Sequence, residues 1–254
     1  MSSVGPLLTF AGVTKRFGGI VALNELSFAV RPGQIVGLIG PNGAGKTTVF
    51  NLATGAYPVN AGDILFEGRS ITDAPPHRIV RSGMARTFQN IRLFRSMTVW
   101  EHVMVAQPTK GSGLRHVLPS SWGDPAARER AERALSVLDL GGVRDRIAAT
   151  LPYGLQRKVE IARALSAEPR LLLLDEPVAG MTHGEATDLR DTLLRLCAGG
   201  LTIFMIEHDM PFVMKLCDYL YVLDFGSLIA EGTPDAVRRN PVVLEVYLGK
   251  EAHA

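Results

Sequence analysis

The first third of the chain is built from short β-type runs. LLTFAGV (7–13), ELSFAV (25–30), QIVGLIG (34–40) and DILFEG (63–68) are separated by glycine and asparagine turns, with one helical stretch after Lys46. From 75 to 140 the reading turns mostly helical, apart from a β-like MARTF (84–88). Asp124 followed by Pro125 supplies a cap and a first-turn residue for a charged helix running to Leu138, with Glu129 and Arg133 spaced to pair at i, i+4. The stretch 107–123, rich in glycine, proline and serine, reads as a surface loop. In LPYGLQRKVEIARAL (151–165), Leu155, Val159 and Ala162 fall at i, i+4 and i+7, so one face is apolar and Arg157, Lys158 and Glu160 are expected to face away from it. Beyond 170, the strand-like runs LLLLD, TIFMIE and DYLYVLD alternate with helical patterns. Strand, helix, strand predicts a parallel sheet with covered faces. The expected fold is therefore α/β in a single domain, 1–254. A parallel-sheet core and an antiparallel β region would draw on 1–74 and 170–254, and a helical subdomain would span about 75–169.

A chain of 254 residues can bury a substantial core. The formal net charge of +2, with 20% charged residues and no long run of one sign, is too mild to argue for nucleic acid. Cys197 and Cys217 sit inside apolar segments without metal-type spacing, and read as buried reduced thiols of an intracellular protein. The opening MSSVGPLLTFAGVTKRF lacks the charged start and sustained apolar stretch of a signal peptide. No run approaches the roughly 18 apolar residues of a membrane span, so a soluble, cytoplasmic protein is expected.

GPNGAGKTT (40–48) changes the picture. Gly40, Gly45, Lys46 and Thr47 stand at the required positions of a phosphate loop, between an apolar strand and a helix. The glycines let the backbone aim N–H groups at a phosphate, Lys46 brings charge to the outer phosphates, and the Thr47 hydroxyl can complete a magnesium shell. LLLLDE (171–176) is a buried-strand pattern ending in two acids, where an open α/β sheet presents its ligands. Beside a phosphate loop, Asp175 reads as a magnesium ligand through the metal's water shell and Glu176 as the group polarising an attacking water; a solvated turn is the plainer alternative. His208 follows another apolar strand and is either structural or part of the same crevice. Gln89, in RTFQN, says nothing alone. The helix start at Pro152 and Gly154, with its unpaired N–H groups and lack of bulk, is a place to hold an anion.

GPNGAGKTT, RTFQN, LPYGLQRKVEIARAL, LLLLDEP and EHDM, in this order and spacing, resemble the phosphate loop, glutamine loop, signature, magnesium strand and histidine switch of the ABC-type ATPases. The match runs from about Leu7 to Leu248. Tyr153 with Gly154, DEPVAGM, IEHDM and the terminal VYLG make the chain most similar to the ATP-binding subunits of branched-chain amino acid importers, the LivG type.

The resemblance implies ATP and Mg2+ as ligands, and adenine stacking on Phe17, which could otherwise be a strand-core aromatic. Phosphates would lie along Gly40, Pro41, Asn42, Gly43, Ala44, Gly45, Lys46, Thr47 and Thr48, and the metal near Thr47, Gln89 and Asp175. Gln89 would also contact the lytic water and sense the membrane partner, Glu176 would be the general base, and His208 would grip the γ-phosphate. The signature residues Pro152, Tyr153, Gly154 and Gln156 would close over a nucleotide held by a second ATPase chain, identical or paralogous. Two membrane permease subunits and, indirectly, a solute-binding protein complete the implied partners, with the chain peripheral on the cytoplasmic face of the plasma membrane. Import of a branched-chain or related amino acid is the implied function. An importer of another small solute such as urea or an amide, a non-transport ABC ATPase and a non-hydrolysing regulatory module are the alternatives. Three positions depart from the common pattern: Pro152 replaces a serine, Leu155 a glutamine, and Thr182 the aspartate after the magnesium strand.

Overall fold

The central strands send alternate side chains to two different cores. Every residue of β3 (Ile35–Ile39), β7 (Leu171–Asp175) and β8 (Thr202–Ile206) is buried. Ile35, Ile39, Leu172, Leu174, Ile203 and Met205 pack into one core, whereas Val36, Leu38, Leu171, Leu173, Phe204 and Ile206 pack into the other. A strand sends alternate side chains to opposite faces, so an unbroken apolar run is what a sheet covered on both sides requires. The structure, a computed structural model, describes residues 5–89, 91–107 and 124–248.

These strands form a six-stranded sheet with β6 (Met84–Arg86), β9 (Tyr219–Asp224) and β10 (Ser227–Gly232), in the order β10-β9-β3-β8-β7-β6. All neighbours are parallel except β10, which runs antiparallel to β9 at one edge. One face is covered by α3 (Val99–Val105), α4 (Pro125–Val137), α5 (Tyr153–Leu165), α6 (His183–Ala198) and α7 (Met210–Leu216), joined by Val237 of α8 (Pro234–Arg238) and Val243 of α9 (Pro241–Leu248). The other face meets α1 (Lys46–Ala53), Ile79 of α2 (Pro76–Arg81) and a four-stranded antiparallel sheet. That sheet has the order β2-β1-β4-β5, from β1 (Leu8–Phe17), β2 (Ile20–Val30), β4 (Ala61–Phe66) and β5 (Arg69–Ser70).

The parallel core and the antiparallel β region are both present. β3 comes from the first 74 residues, and the β-like run at 84–88 forms β6 within the otherwise helical span 75–169; both strands belong to the six-stranded sheet. α4 starts as expected, with the Asp124 side chain accepting from the Ala126 N–H at 3.0 Å, Pro125 in its first turn and Arg133 donating to Glu129 at 2.6 Å. Gln107, expected to open a surface loop, is buried and donates to the carbonyl of Ala127 at 2.6 Å; the rest of that stretch, 108–123, lies outside the described residues. Cys217 is buried as expected, and burial pushes its thiol pKa up. Cys197 is only half-buried. Among the described residues no helix is long and apolar enough to cross a membrane.

Candidate active site

The loop between β3 and α1 is shaped by backbone freedom at its first residue. Gly40 has φ +147, and a Cβ there would collide with the carbonyl of Leu223 in β9, so only glycine lets the loop leave β3 this close to its neighbour. Gly45, at φ +104, caps α1, whose first residues are Lys46, Thr47 and Thr48. The loop is backed by the β9–β10 turn, where the Gly226 N–H donates to the Ala44 carbonyl at 2.9 Å. Lys46 is buried, and its ammonium donates to the carbonyls of Gly40 (2.7 Å) and Pro41 (2.9 Å). Asn42, Gly43, Ala44, Gly45, Lys46, Thr47 and Thr48 line an open cleft of about 450 Å³, together with Gln89, Glu176 and Phe225.

Two more strand ends point into the same region. Glu176 follows β7 in a left-handed conformation, φ +47, and its N–H donates to the Ile206 carbonyl at the end of β8 (2.9 Å). A non-glycine residue rarely takes that backbone, and here it turns the side chain into the cleft. Gln89 Nε2 donates to Glu176 Oε2 at 2.8 Å. His208 Nδ1 stands 3.8 Å from Glu176 Oε1, beyond hydrogen-bond reach, on a side chain 63% exposed. Asp175 is buried at the end of β7, and its Oδ2 is paired with Arg86 Nη2 at 2.8 Å.

Three neighbours of the cleft were given no role from the sequence, although Arg86 opens RTFQN and Glu207 lies within IEHDM. Arg86 ties Asp175 to Asn51 and Thr54 of the helix that follows the phosphate loop. Glu207, fully buried, accepts from the N–H groups of Val178, His208 and Asp209, and so fixes the turns after β7 and β8 against each other. Phe225, 79% exposed, reaches the cleft from the β9–β10 turn. Arg86 and the Val178 contact of Glu207 join segments distant in the chain, which local pattern does not reveal.

Phe17 ends β1 and is 42% exposed, edge-on to Tyr57, with the Lys15 ammonium 4.9 Å from its ring centroid. It is not a strand-core aromatic. Its β-ladder partner is Ile20, which lines the cleft.

The start of α5 is separate from this cleft: none of Pro152, Tyr153, Gly154 and Gln156 lines it. Pro152 occupies the cap position, one residue before the helix, and is exposed. The space beside Gly154 holds a carboxylate of the same chain, because a Cβ there would collide with Glu185. Glu185 belongs to the capping box of α6, whose cap is Thr182, and the Thr182 N–H lowers its pKa. Gln156 turns back to donate to the Leu151 carbonyl at 2.7 Å. Arg157 and Glu160, expected to face away from the apolar side, are completely buried and paired at 3.1 Å. The apolar stripe is real, but these two long side chains reach backbone groups of Phe88, Gln89 and Arg92, satisfying polar atoms that local helical periodicity does not register.

A family model described as ABC transporter matches residues 23–179, and one described as branched-chain amino acid ATP-binding cassette transporter matches 227–253. The chain is similar to the high-affinity branched-chain amino acid transport ATP-binding proteins BraF of Pseudomonas aeruginosa and LivG of Escherichia coli. Each is 42% identical over 251 residues, covering 96% of this chain and 98% of the relative. Among solved structures, a nucleotide-free ATP-binding cassette from an ABC transporter superposes with a TM-score of 0.86 at 34% identity, covering 96% of this chain and 99% of that one.

Proposed function

The chain belongs to the ATP-binding family of ABC transporters, in its branched-chain amino acid group, and on that premise we propose how its cleft drives import. The protein is an ATPase, converting ATP and water to ADP and phosphate. The proposed cargo is a branched-chain or closely related amino acid, in keeping with BraF and LivG. It would be delivered by a solute-binding protein and passed through two separate permease subunits, with this chain docked at their cytoplasmic face beside a second ATPase chain.

In this reading the N–H groups of 43–48 cradle the phosphates and Lys46 exchanges its two loop carbonyls for phosphate oxygens. The donor set fits magnesium: the Thr47 hydroxyl, the Gln89 amide oxygen and the Asp175 carboxylate are hard oxygen ligands. When bound, magnesium would neutralise charge on the β- and γ-phosphates. Phe17 stacks on adenine, and Gln89 orients water toward Glu176, which accepts its proton. His208, exposed at the rim, turns to the γ-phosphate. The start of α5, with Pro152, Tyr153, Gly154 and Gln156, faces the nucleotide of the second chain, consistent with its separation from the cleft of its own chain.

The observation that carries this reading is the 2.8 Å hydrogen bond between Gln89 and Glu176 at the mouth of the phosphate loop. It gathers a water-orienting amide and a candidate base in one cleft. Glu176→Gln should keep ATP binding and slow hydrolysis by at least about a hundredfold, in line with general-base contributions. Near-normal phosphate release would remove Glu176 from that role.

A further inference from the structure

Buried polar contacts join α5 to the segment that follows β6. Arg157 has no exposed side-chain surface. Its Nη1 donates to the carbonyl of Phe88 at 2.7 Å and its Nη2 to that of Gln89, also at 2.7 Å. Nη1 also meets Glu160 Oε2 at 3.1 Å. The other oxygen of Glu160 accepts from the Arg92 N–H at 2.8 Å, and Arg163 donates to the Arg92 carbonyl at 2.7 Å. The carbonyls of Phe88 and Gln89 belong to the two peptide units flanking the Gln89 Cα. Holding both fixes the direction in which the Gln89 side chain leaves the backbone, and that side chain meets Glu176 at 2.8 Å.

Stability alone is a poor reason to bury such a pair. Well-packed apolar residues of similar volume often do as well or better in its place, and among the described residues the buried Arg157 Nε has no hydrogen-bond partner. What an apolar pair cannot do is grip two successive carbonyls at once. The planar fork of a guanidinium can, whereas a lysine ammonium is a compact point charge on a flexible stem.

We propose that Arg157, braced by Glu160, is a positioning residue for ATP hydrolysis: it transmits the placement of the signature-bearing helix to Gln89, and through Gln89 to Glu176. The inference rests on the roles given above to Gln89 and Glu176. It makes the signature helix a determinant of the chain's own cleft, in addition to any contact with a second chain's nucleotide.

The test is a double-mutant cycle on the full chain, with kcat and KM for ATP measured separately. Arg157→Lys should lower kcat roughly tenfold, the scale of a lost charge-assisted contact, and leave KM for ATP within about twofold. In a Gln89→Ala background the same substitution should change kcat by less than about twofold, because the group it positions is gone. Equal losses in both backgrounds, or an unchanged kcat for Arg157→Lys alone, would overturn the proposal. Glu160→Gln, which keeps the volume and an acceptor for the Arg92 N–H, should show the same dependence on Gln89 in a milder form and serves if Arg157→Lys does not fold. Normal turnover by Gln89→Ala itself would instead remove Gln89 from the site, and the clamp's purpose with it. A slow Gln89→Ala beside a normal Arg157→Lys would remove the clamp alone.

Discussion

Arg86 and Asp175 meet at 2.8 Å with side chains only 8% and 4% exposed, so each depends on the other for a charge partner inside the protein. Arg86 also stacks over Phe50 and Phe88 and binds Asn51 and Thr54, which leaves little room for water to replace it. Removing one partner of a buried pair leaves an uncompensated charge, a loss of about 3–5 kcal/mol. Arg86→Met should therefore lower the urea midpoint by that equivalent with an unchanged slope. Adding Asp175→Asn should restore part of the loss, since the stranded charge goes with it. If Arg86→Met were as stable as the parent, the pair would be a surface-like contact despite its burial. Residues of this kind mark the limit of what was legible in the sequence. Lys46, Asp175 and Glu176 stand in local patterns whose chemistry reads directly. Arg86 and Glu207 look like ordinary charged residues until the fold brings partners 29 to 89 positions away onto them.

The cap of α4 was legible because its physics is local: Asp124 and Pro125 start that helix as expected. The reciprocal box between Thr98 and Glu101 at the start of α3 went unread, although it too is local. Faces were less legible: α5 hides Arg157 and Glu160, and α3 hides His102, because backbone groups of Phe88, Gln89, Arg92, Phe94 and Thr98 need partners that no helical period encodes. His102 is fully buried, accepts from the Phe94 N–H at Nε2 (2.8 Å) and lies 2.8 Å from the Thr98 carbonyl at Nδ1. One nitrogen accepts while the other donates, which is the neutral ring. Burial lowers its pKa below the ordinary 6.5; the Thr98 carbonyl and Glu101 oppose this, and Arg163 adds to it. The unfolded chain thus takes up a proton near the ordinary value, and the folded chain only at lower pH. The stability contributed by the neutral ring is fully present above the ordinary value and is lost as pH falls below it toward the depressed one. His102→Gln, which can keep an acceptor and a donor, should flatten the loss of stability between about pH 7 and pH 5. Denaturant midpoints for both chains across that interval check it; parallel curves would assign the acid sensitivity to other groups.

On the scale of the whole molecule, the two halves of the signature chemistry are apart. The phosphate loop, Gln89 and Glu176 share one cleft, while Pro152, Tyr153 and Gly154 lie outside it, so a complete site needs two chains in the proposed arrangement. The family resemblance carried by those motifs implies this division. The Glu185 carboxylate beside Gly154 was not anticipated, since α5 and α6 are brought together only by the fold. Pro152 makes no side-chain cap for α5 and lacks both a hydroxyl and an N–H, so only donors such as the Tyr153 and Gly154 amides remain for an incoming phosphate. A hydrogen bond to a charged group contributes roughly 1.5–3 kcal/mol, about a ten- to hundredfold effect on closure of the pair. Pro152→Ser should strengthen ATP-driven dimerisation by up to that factor and leave the ATP affinity of the single chain unchanged, because Pro152 is remote from that chain's own cleft. The comparison is sedimentation of Glu176→Gln chains with and without Pro152→Ser across an ATP titration, the first substitution holding ATP uncleaved in both. Coincident dimerisation curves would leave Pro152 as helix architecture alone. A rise in single-chain ATP affinity would mean that the start of α5 reaches the nucleotide of its own chain, against the two-chain arrangement proposed here.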